Sequence, residues 1–86
     1  MDQDISGEEM AQNLIPAVEE QSSSAETAFV KTHLDRLIAE GETEHEAKLM
    51  IALCLGDEIE SMQSEGRSFD IKRYERLLEF LPILPE

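Results

Sequence analysis

Two histidines, one cysteine, a run of serines and an excess of acids are the residues of this chain that could do chemistry. His33 and His45 invite a metal site with Glu42, Glu44 or Glu46, since imidazole and carboxylate are common ligands of divalent ions. Their spacing argues against one. If two helices reverse direction at Gly41-Glu42-Thr43, His33 lies roughly 12 Å along the axis from the connection and His45 lies close to it. An axial offset of roughly 8 Å, with about 9 Å between axes, is too wide for metal–nitrogen bonds of about 2 Å. His33 is expected at a partly buried edge, and His45 in a solvated first turn. Cys54 falls in the most apolar stretch with no base beside it, so it reads as a small buried hydrophobe. Ser22, Ser23 and Ser24 have no histidine or other base nearby to activate them. Neither a glycine-rich phosphate loop nor a calcium loop of alternating acids is present in the sequence. The acids crowd together, yet nothing in the pattern desolvates one in a cleft. The expectation is no catalytic residue, no cofactor, no metal and no enzyme.

Charge narrows the partners. Asp and Glu number 20 against 7 Lys and Arg, a formal charge of −13. Residues 1–22 hold six acids and no base, and Lys48 is the one base among seven acids over residues 42–66. Residues 67–86 balance four of each sign. A polyanion repels other polyanions, so neither nucleic acid nor an anionic membrane is expected as a direct partner. The longest apolar run, Leu49–Leu55, is far short of the roughly 20 residues that span a bilayer. The acidic start also lacks the basic and apolar regions of a signal peptide. A cytoplasmic location is therefore expected. A single cysteine precludes an intramolecular disulfide, and 86 residues make one small domain.

The elements follow from punctuation and period. Thr43 and Glu46 have capping-box spacing, Gly66 suits a left-handed C-terminal cap, and the apolar positions between them surround the axis for two turns. Such a helix must be covered on several sides, which makes residues 44–64 the centre of the fold. A helix near 24–40 opens on a Ser23/Glu26 box and ends at Gly41, with Phe29, Val30, Leu34, Leu37 and Ile38 as its apolar stripe. A helix near 71–81 starts at Asp70, with Phe69 and Tyr74 at staple spacing, and stops at Pro82. Arg73 stands where a capping box would place Glu, so that cap is incomplete. Short connections predict an all-α, antiparallel three-helix bundle over residues 23–86, with the tail Ile83-Leu84-Pro85-Glu86 folded onto an open end. Residues 1–22 form an acidic segment, partly disordered or loosely docked. It holds at most a short helix near 7–15, begun by Ser6 with Glu9 and an Ile5/Met10 staple, because Pro16 disfavours helical geometry at Ile15. Asp57, Glu58 and Glu60 are expected on a solvated face, with Arg67, Lys72, Arg73 or Arg76 as possible partners.

Glu60-Ser61-Met62 is the nearest stretch to the Asp-Ser-Leu motif of acyl carrier proteins, which the chain resembles in size, charge and helix count. The resemblance would imply a phosphopantetheine on the serine. Here the Asp is missing and the serine lies inside the central helix, so no family is assigned. What stands out is an apolar excess. Leu49, Leu53, Leu55 and Met62 make the candidate interaction face, because two neighbouring helices cannot cover them all, and either the N-terminal segment with Met10 and Leu14 or another chain must cover the remainder. The expected function is a small acidic protein–protein interaction or accessory module, with a protein partner or a second copy on that face. The alternative is an acidic mimic of nucleic acid that blocks a basic protein's groove.

Overall fold

The computed structural model describes residues 7–85, so the Ser6 cap and the Ile5 staple lie outside the described residues. The described residues are all-α: α1 Gly7–Ser22, α2 Ala28–Ala39, α3 Glu44–Glu65 and α4 Ile71–Phe80, with a 3-10 turn at Ala25–Thr27. The helix count corrects the three-helix expectation. The fourth helix is α1, which runs the full 16 residues through Pro16 instead of stopping near 15.

Pro16 deprives the Gln12 carbonyl of its helical donor, a loss of about 3 kcal/mol in a helix interior. Both residues face solvent, where water can serve that carbonyl, while Ala11 and Val18 on the other side are fully buried. The four-residue repeat of Met10, Leu14 and Val18 thus prevails over the proline. Far from being loosely docked, α1 packs into the same core as the rest of the chain. Lys48 ties it further, with Nζ 2.9 Å from carboxylates of both Glu19 on α1 and Glu44 on α3.

The central position expected for residues 44–64 is occupied by α3, which packs against each of the other three helices. It buries Ala47, Leu49, Ile51, Ala52, Cys54, Leu55, Gly56 and Glu58. The Thr43 hydroxyl accepts from the Glu46 amide at 3.0 Å, and Gly66 closes the helix at φ 64°. Gly56 faces α1, where a β-carbon would stand 2.5 Å from the Met10 methyl.

The start of α2 differs from expectation. Ser24, not Ser23, caps the 3-10 turn by accepting from the Glu26 amide, while the Ser23 hydroxyl donates back to the Glu19 carbonyl. Tyr74 of α4 is buried edge-on between Phe29 and Phe69, with centroids at 5.7 and 5.6 Å. Its hydroxyl donates to Gln21 Oε1 at 2.7 Å, linking α4 to the end of α1.

Candidate functional site

The chemistry-bearing residues separate into a buried ion cluster and scattered singles. Glu58 is fully buried, which corrects the solvated face expected for Asp57, Glu58 and Glu60. Its Oε1 accepts from Arg67 Nη2 at 3.2 Å and Arg73 Nη1 at 2.8 Å. Its Oε2 accepts from Arg67 Nη1 and the Asp70 amide, both at 2.7 Å. These four bonds fill the acceptor capacity of one carboxylate. Arg73 Nη2 also reaches Asp57 at 2.6 Å. Glu60 alone of the three acids is exposed. The Arg67 hydrogen bond, helped by those from the Asp70 amide and Arg73, holds the Glu58 carboxyl at a pKa of about 2 against the opposing pull of burial.

That arrangement completes the cap that α4 lacks in its own sequence. The Asp70 carboxylate accepts from the Lys72 and Arg73 amides at 3.1 Å, and its own amide is served by Glu58 from α3. With every acceptor site of Glu58 occupied, the cluster fastens α3 to α4. It is a joint.

The histidines are not brought together. His33 is lowered from 6.5 by burial and by Arg36, with Glu79 and Glu75 of α4 acting the other way. Its Nδ1 lies 3.3 Å from Arg36 Nε, which donates to it. Exposed His45 sits instead beside Ile15, Glu19, Glu44 and Lys48 in a shallow dip against α1. Among the described residues no three His, Cys, Asp or Glu side chains are grouped to hold a metal ion. Cys54 is buried, and desolvation, reinforced by Asp57, pushes its thiol up to about 12. No helix of the described residues is long and apolar enough to cross a membrane.

Of the four residues of the candidate interaction face, Leu49 and Leu55 are buried, and Leu53 and Met62 are partly covered. They do not form one surface. Leu55 and Met62, seven apart, share a side of α3 other than that of Leu49 and Leu53. Leu49 and Leu53 line a recess with Ala11, Glu46, Met50 and Leu84. A second recess is lined by Met10, Leu53, Asp57, Glu60, Leu84 and Pro85. On α3 these residues fall at 46, 49, 50, 53, 57 and 60, the three-to-four spacing of one helix face. The two recesses share Leu53 and Leu84 and make one groove, apolar at its floor and acidic toward both ends. The stripe spans about 21 Å at 1.5 Å per residue. Its spacing was readable in the sequence; Met10, Ala11 and Leu84, which complete the lining, come from distant segments and carry no local signal. Compared with known proteins, the chain matches no family model, no curated protein and no solved structure.

Proposed function

We propose that this chain is a protein–protein interaction module, without enzymatic activity, whose groove receives an amphipathic helix with basic residues on its polar side. One observation carries the reading. The α3 stripe offers Leu49, Met50 and Leu53 as floor with Glu46 and Glu60 toward the ends, and among the described residues no lysine or arginine lines either recess. Apolar anchors at i, i+3, i+4 and i+7 suit such a floor, and flanking bases would meet the two glutamates.

The test is fluorescence anisotropy with a labelled 14-residue helix of leucines and lysines at amphipathic spacing. The expected result is saturable binding that persists at physiological salt, weakens at least about tenfold with Met50→Glu, and weakens again in the Glu46→Lys/Glu60→Lys double variant; each tenfold step corresponds to about 1.4 kcal/mol. An oligolysine peptide without leucines separates this reading from nucleic-acid mimicry. If oligolysine binds as well, and both interactions collapse as salt rises, the protein acts as a polyanion and the groove reading fails.

A further inference from the structure

The groove already contains a piece of its own chain. Leu81 is buried, and Arg36 of α2 fixes the end of α4 by donating to the Leu78 carbonyl at 3.0 Å and the Leu81 carbonyl at 3.1 Å. Beyond Leu81 the restraints change in kind. The Ile83 amide donates to the Phe80 carbonyl at 2.9 Å, a local turn. Among the described residues, no hydrogen bond or ion pair joins residues 82–85 to α1 or α3. Leu84 nevertheless lines both recesses together with Leu53, while 44% of it remains exposed. An apolar side chain held there by contact alone lies where the apolar face of an incoming helix would rest.

We propose that residues 82–85 form a displaceable strap, an internal occupant that an amphipathic helix must move aside to bind. Arg36 is its fixed end, and Leu84 is the side chain that competes. This rests on the docking reading above and adds its regulation: the apparent affinity is reduced by the fraction of molecules in which the strap is seated.

Two measurements on the full chain, with Leu84→Ala beside it, test the strap and keep the two ideas apart. The first needs no ligand. Met10 and Met50 each line one of the recesses beside Leu84, and Met62 lines neither. With methionine methyls labelled with carbon-13, Leu84→Ala is expected to shift the Met10 and Met50 signals and leave Met62 in place. The second is anisotropy with the leucine–lysine peptide. The variant is expected to bind about fivefold more tightly, the gain for a strap seated about four-fifths of the time. Unmoved Met10 and Met50 signals overturn the strap whatever the peptide does. Shifted signals with equal or weaker binding also overturn it, because Leu84 is then a wall of the groove. If neither protein binds the peptide, the docking reading itself fails and the strap has nothing to regulate.

Discussion

Arg73 occupies the third position of α4, where a glutamate would reach back to the Asp70 amide, and Glu58 supplies that carboxylate from α3. One residue thereby caps a helix, pairs with two guanidinium groups and joins two elements. Removing one partner of a buried ionic network leaves the others uncompensated, so Glu58→Ala is expected to lower unfolding stability by about 3–5 kcal/mol in urea titration. The pH dependence follows from the direction of the shift. The Glu58 carboxyl is lowered from 4.5 to about 2 in the folded protein, so its stabilisation is complete above 4.5 and lost as pH falls toward 2. Urea midpoints across that window should therefore fall steeply for the native protein and less steeply for Glu58→Ala. Parallel slopes would assign acid sensitivity to other carboxylates.

At the scale of elements, α1 packs on α3 across Gly56. A β-carbon there meets the end of the flexible Met10 side chain, which can swing away, and alanine gains about 1 kcal/mol of helix propensity over glycine. Gly56→Ala is thus expected to stay within about 1 kcal/mol of native stability. Gly56→Leu should push α1 off its seat, and hydrogen exchange would register this as lost protection in α1 amides while the centre of α3 stays protected. Equal loss in both helices would mean that α1 and α3 open as one unit. Much of this level was legible in the sequence. Thr43, Gly66 and Asp70 set boundaries through local bonds, and an apolar stretch surrounding its axis marked α3 as central. The continuation of α1 past Pro16 was not legible, because the gain that outweighs the proline comes from burying Ala11 and Val18 against a segment some forty residues away. The ion joint was half legible. Its possible partners could be named, but burial of Glu58 depends on Arg67 and Arg73 converging from a loop and another helix. Of the groove, the α3 floor was legible and the rest of its lining was not, for the same reason of distance.

For the molecule as a whole, the formal charge of −13 sets a self-repulsion that any compact state must bear. The Lys31–Asp35 pair on α2 is exposed on both sides, and such pairs contribute about 0–1 kcal/mol. Screening should therefore relieve more repulsion than it costs in attraction. Raising sodium chloride from about 10 mM to about 150 mM shortens the Debye length from about 30 Å to about 8 Å. The thermal midpoint, followed by circular dichroism, should rise over that interval; a fall would show that the ion pairs outweigh the repulsion. Cys54 adds a practical property at this scale. The chain's one sulfhydryl is sealed at the middle of α3 and held in its unreactive protonated form. Oxidants and alkylating reagents should meet it only when the bundle comes apart, so a disulfide-linked pair of these chains would be a record of past unfolding, and a cysteine engineered onto the surface would be the sole handle for a dye.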